Sequence, residues 1–124
     1  MTPEKIVEID AQKNKGGISF KQNLSSLHGM QSVGGQVLRE GDTLYVFIPR
    51  EGMSVEVHTF NAAPINQFID NTKKFLRMLK KLGAKDVWTE FDDPKMKSLF
   101  EMFAPEFKFA FTKGKRYMAK AVLS

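Results

Sequence analysis

The chain of 124 residues contains no cysteine. That absence excludes a disulfide frame, a thiolate metal site and a cysteine nucleophile, and it points to a cytoplasm as the compartment. No window approaches about 18 uninterrupted apolar residues, so nothing reads as a membrane span. Met1–Asp10 mixes acidic, basic and apolar side chains and lacks the apolar stretch of a secretory signal. There is no Gly-x-Ser-x-Gly nucleophile elbow, and the two histidines, His28 and His58, are too far apart in sequence to read as a metal pair. No helix-turn-helix, zinc-finger or RNP-type aromatic motif is present.

What is there is an ordinary globular composition, with 42% hydrophobic and 27% charged residues, and a length that fits one domain over residues 1–124. The net charge of +5 is uneven: residues 1–72 carry six basic and eight acidic side chains, and residues 73–124 carry thirteen and six. The basic C-terminal half suits a polyanion, either nucleic acid or a phosphate-bearing cofactor such as coenzyme A.

Residues 1–31 are the least readable, with a polar, Gly-ended break at Ala11–Gly17 and a short helix or irregular segment over 18–28. From there the pattern is clearer. Gln36–Arg39, Thr43–Ile48 and Met53–Phe60 read as an antiparallel meander separated by turns at Glu40-Gly41-Asp42 and Arg50-Glu51-Gly52. In the third strand Val55, Val57 and Thr59 share one face, and Glu56, His58 and Phe60 the other. Asn61 reads as a helix cap, with Pro64 in the first turn. Ile65, Phe68, Ile69, Thr72, Phe75, Leu76, Leu79 and Leu82 then draw one apolar stripe, which Gly83 ends. Asp86–Phe91 is a strand, Asp93-Pro94 opens a short helix with Met96, Leu99, Phe100 and Phe103 inward, and Phe107–Phe111 and Tyr117–Leu123 form a closing hairpin.

A strand, crossover helix and strand in one sheet require a parallel pair, here 54–60 with 86–91, within an otherwise antiparallel sheet. Such a pair diverges at its ends and admits a ligand, with the helix start at 62–66 facing the gap.

Lys81-Leu82-Gly83-Ala84-Lys85-Asp86-Val87-Trp88 and Ser98-Leu99-Phe100-Glu101-Met102-Phe103, in this order of elements, resemble the GCN5-related N-acetyltransferase (GNAT) superfamily from about Gly35 to Leu123. In general appearance the chain resembles the small GNAT-like proteins encoded by bacteriophages, including those packed inside virions, which implies host cytoplasm or virion as the location. The resemblance implies an α/β fold with a mixed, mostly antiparallel sheet, one diverging parallel pair and flanking helices. It also implies acetyl-CoA as cofactor and an amine as acceptor.

On that resemblance, Glu56 and His58 are the candidate bases, Glu56 first. Their plain alternative is a solvated carboxylate and a hydrogen-bonded sheet histidine. Asn61, Ala62, Ala63 and Asn66 are the candidate cofactor contacts, with capping as their plain alternative, and Lys73, Lys74 and Arg77 could meet a further phosphate.

Two features depart from the family. Its phosphate-cradling Arg/Gln-x-x-Gly-x-Gly/Ala loop is replaced by Asn61–Asn66, which has neither Gly nor a basic residue. Phe100 stands where many members carry a proton-donating Tyr, leaving Tyr117, Tyr45 or water for that task. Two functions follow: an acyl-CoA-dependent N-acyltransferase, or a non-catalytic relative that uses the scaffold to bind a phage or host protein. Nucleic acid, through Lys113, Lys115 and Arg116, and self-association through the phenylalanines are the further partner expectations.

Overall fold

A computed structural model describes residues 1–13, 20–104 and 106–123. Helix α1 (Pro3–Lys13) opens with Thr2 Oγ1 accepting the Lys5 amide at 3.2 Å and Pro3 at the first helical position. It runs through the Ala11–Lys13 stretch expected to be a break, and Ile6 and Val7 on its inner face are fully buried. Helix α2 (Phe20–Ser32) extends beyond the expected 18–28 segment, whose first two residues lie outside the described residues; Leu27 is buried. It ends when Gly34 takes φ +92° and the Gly35 and Gly34 amides return to the carbonyls of Met30 and Gln31. That is a Schellman closure, which needs a residue tolerant of positive φ.

The meander follows as β1 (Gln36–Glu40), β2 (Thr43–Pro49) and β3 (Ser54–Asn61). Met53, expected to begin the third strand, instead has φ +62° and closes a single 3₁₀ turn, Glu51–Met53. Helix α3 (Ile65–Lys81) leads to β4 (Asp86–Phe91), the short α4 (Met96–Glu101) and the hairpin β5 (Phe109–Lys113) and β6 (Tyr117–Val122). Gly83, at φ +94°, repeats the closure seen at α2: its amide meets the Lys80 carbonyl and that of Ala84 meets Leu79.

The six strands are ordered β1-β2-β3-β4-β6-β5, and β3–β4 is the parallel pair. The hairpin therefore folds back so that its second strand lies beside β4. Both faces of β3 are covered. Val55 and Val57 join Tyr45, Phe75, Leu76, Leu79 and Phe103 under α3 and α4, while Phe60 joins Leu44, Val46, Ile6, Val7 and Leu27 under α1 and α2. Thr59, which shares the face of the two valines, is exposed. The apolar stripe of α3 also narrows at its ends, where Ile65 is 55% and Leu82 65% exposed, and the buried side chains centre on Asn71–Leu79. No helix among the described residues is long and apolar enough to cross a membrane.

Candidate active site

The parallel ladder holds for three residue pairs only: Ser54 with Asp86, Val55 with Val87, and Glu56 with Trp88. β3 continues to Asn61 and β4 to Phe91, so their facing edges carry no mutual ladder bonds beyond that point. An unpaired strand edge offers its peptide N–H and C=O groups to whatever enters. The opening leads into a cleft of about 1150 Å³. Side chains in register share a face, so Glu56, His58, Trp88 and Glu90 line the α1/α2 side. Val57, Phe68, Thr72, Phe91 and Phe100 give the α3/α4 side an apolar wall.

Glu56 and His58, two residues apart on one strand, point the same way and are hydrogen-bonded, Oε2 to Nε2. Arg50, from the turn before β3, donates from Nε (3.1 Å) and Nη2 (2.7 Å) to Glu56 Oε1. The Glu56 side chain is 13% exposed and that of His58 31%, so the carboxylate is paired and enclosed rather than solvated. Burial alone would raise the Glu56 carboxyl, but its hydrogen bonds with His58 and Arg50 and the guanidinium charge outweigh it and hold the group below its ordinary value. A carboxylate so stabilised is a weak proton acceptor. Sequence reasoning missed Arg50 and Trp88; only strand register places them beside Glu56.

Asn61 does not cap α3. Its Oδ1 accepts from Thr43 Oγ1 (2.8 Å) and the Ala63 amide (3.0 Å), its Nδ2 donates to the Ala63 carbonyl, and Pro64 takes the cap position without a side-chain bond. Asn71 reaches the same cluster, donating to Thr43 Oγ1 and to the Glu40 carbonyl. Asp10 of α1 holds the Asn61 amide at 3.1 Å. The loop is thus fixed from three sides. The Ala62 amide is spent on the Asp42 carbonyl and that of Ala63 on Asn61, which removes both from the expected set of phosphate contacts. The amides of Ile65, Asn66 and Gln67 meet no described acceptor, as befits the first turn of a helix.

The two tyrosines expected to stand in for the hydroxyl missing at Phe100 are both engaged in ring stacking. Tyr45 is buried, stacks on Phe75 at 4.2 Å and shares a 2.7 Å hydrogen bond with Thr72, and burial pushes its phenol well up. Tyr117 stacks on Phe91 and lies outside the cleft lining. Phe100 itself is ringed by Phe91, Phe103, Phe109 and Phe111. Arg77 is committed to Glu106 through both Nε and Nη2.

Solved structures share this architecture over nearly the whole chain. An N-acetyltransferase from Staphylococcus aureus Mu50 matches with a TM-score of 0.61 at 11% identity, covering 99% of this chain and 96% of its own. The fold is that of the GNAT acetyltransferases. An aminoglycoside 6'-acetyltransferase type Ii matches at TM-score 0.65 and 9% identity, covering 98% and 87% of the two chains. A GNAT superfamily phosphinothricin acetyltransferase from Sinorhizobium meliloti, solved in complex with AcCoA, gives 0.56 at 13% identity, covering 94% and 80%. No family model and no curated protein matches the sequence. At these identities the likeness is one of fold, and chemistry has to be argued from the cleft.

Proposed function

We propose that this chain is an N-acyltransferase that uses acyl-coenzyme A, with acetyl-CoA threaded between β3 and β4 and an amine acceptor approaching from the α1/α2 side. The observation that supports this most is the end of the parallel ladder at Glu56–Trp88, directly beside the Glu56–His58 pair. Bound acetyl-CoA supplies the thioester whose carbonyl carbon exchanges its bond to sulfur for one to the acceptor nitrogen. His58 takes one proton from the acceptor ammonium, so that the nitrogen presents its lone pair, and Glu56 orients the imidazole. The edges of β3 and β4 hold the arm by peptide hydrogen bonds. The amides of Ile65, Asn66 and Gln67, which meet no described acceptor and have the positive end of α3 behind them, are the groups offered to the pyrophosphate. With neither tyrosine in place, the departing thiolate takes its proton from the newly acylated nitrogen through water.

A non-catalytic or nucleic-acid-binding role has no such support. At the hairpin tip Arg116 is paired with Asp92 and Glu90, and Lys113 lies over the Tyr117 ring at 4.9 Å. The test is thiol release from acetyl-CoA in the presence of a panel of primary amines. Amine-dependent release that His58→Ala lowers by about 10²-fold or more, the worth of a positioned base, is expected. Equal release by wild type and His58→Ala would remove the assignment.

A further inference from the structure

Arg50, Glu56 and His58 form a chain of contacts in which each carboxylate oxygen has its own partner. Both guanidinium donors of Arg50 converge on Oε1, and Oε2 meets His58 Nε2. A carboxylate is an acceptor only, so the imidazole nitrogen facing it must carry the hydrogen. In the neutral ring the lone pair then resides on Nδ1, which bonds no described residue. The other charged side chains lining the cleft are Asp10, which already accepts the Asn61 amide, Glu90, Asp92, Asp93 and Arg116, the last paired with Glu90 and Asp92. None of Glu90, Asp92, Asp93 and Arg116 is a described partner of the ring.

We infer that Arg50 is a positioning residue: by occupying Oε1 of Glu56 it commits Oε2 to His58, which fixes the Nε2–H tautomer and leaves Nδ1 as the atom that receives the acceptor's proton. This rests on the acyltransfer reading above. The proton balance is simple. An ammonium gives one proton to Nδ1, the ring becomes an imidazolium held against the Glu56 carboxylate, and the proton returns to solvent after acyl transfer. Without Arg50 the carboxylate is free to rotate or turn to water, and the imidazole samples both tautomers.

Long-range proton–nitrogen NMR at alkaline pH reads the tautomer directly, and with two histidines in the chain a His28→Gln variant assigns the signals. In wild type, His58 should show a protonated Nε2 and an unprotonated Nδ1. Arg50→Met, which keeps the aliphatic stem, should give a mixture of tautomers and lower kcat about 10- to 100-fold, part of the worth of a general base, with KM changed less than twofold. Arg50→Lys should recover part of both losses. If either variant fails to fold, Glu56→Ala provides the same comparison and should also lose the tautomer preference. A wild-type His58 protonated at Nδ1, or a tautomer and kcat unchanged in Arg50→Met, overturns the inference. An intact tautomer in a protein that neither binds nor turns over acetyl-CoA would instead remove the acyltransfer reading, so the two failures are separable.

Discussion

Glu56 and Trp88 are the last residues in register between β3 and β4, and the two strands part immediately beyond them. The position matters because it sets the only tryptophan of the chain at the fork, on the same sheet face as the Glu56–His58 pair. The backbone edges that would hold an extended ligand, the base that would act on it and a spectroscopic reporter therefore meet at one place.

The Glu56 pairing predicts an acid-range signature. A carboxyl held below its ordinary value of 4.5 adds stability above that pH and loses it as pH falls through the lowered native value. Glu56→Gln should therefore be less stable than wild type near neutrality, and the gap should close below about pH 4.5. Urea unfolding of both proteins from pH 3 to 7 measures it, and a gap that stays constant with pH would contradict the pairing.

Tyr45 and Thr72 satisfy each other's hydroxyls in the core. Removing one partner strands the other: Tyr45→Phe and Thr72→Val should each cost about 1–3 kcal/mol. The double variant should cost less than the sum, because neither hydroxyl of the pair is left behind. A double-mutant cycle by denaturant unfolding reads this. Since the Tyr45 hydroxyl is already committed, Tyr45→Phe should leave turnover near wild type.

Asn61 joins Thr43, Ala63 and, through its amide, Asp10. Asn61→Ala should loosen the strand-to-helix loop, costing about 1–3 kcal/mol for the donors left unpaired. It should also weaken acetyl-CoA binding while leaving the His58 tautomer unchanged. Calorimetry and the NMR assay separate the two effects.

Phe100 closes the apolar wall against Phe91 and Phe109, with ring centroids at 5.4 and 4.8 Å. Phe100→Ala should lower stability by about 3 kcal/mol, the lower end for a large aromatic because Phe100 is partly exposed. Calorimetric unfolding gives the number.

Much of this architecture is legible in the residues. The meander, the long helix closed by Gly83 and the parallel crossover follow from alternation, 3.6-residue spacing and glycine at a positive φ. The first helix is not legible even though Thr2-Pro3-Glu4 carries a cap, a first-turn proline and an early acid; its apolar content, Ile6 and Val7, is too brief to set a period. The side chains of the α3 start were misassigned for a physical reason. Asn61 has long-range partners, Thr43 and Asp10, and a cap assigned from neighbours in sequence cannot anticipate them. Glu56 and His58 are visible as a same-face pair, but their partner Arg50 lies across a turn whose register only the fold supplies.

On the proposed function, acyl-coenzyme A enters the gap at Glu56–Trp88. The most direct measurement is Trp88 emission during an acetyl-CoA titration, followed in parallel by thermal unfolding. A saturable emission change, with stabilisation approaching about 2.7 kcal/mol at a hundredfold excess over Kd, is the predicted result; emission and melting unchanged to millimolar acetyl-CoA would contradict it.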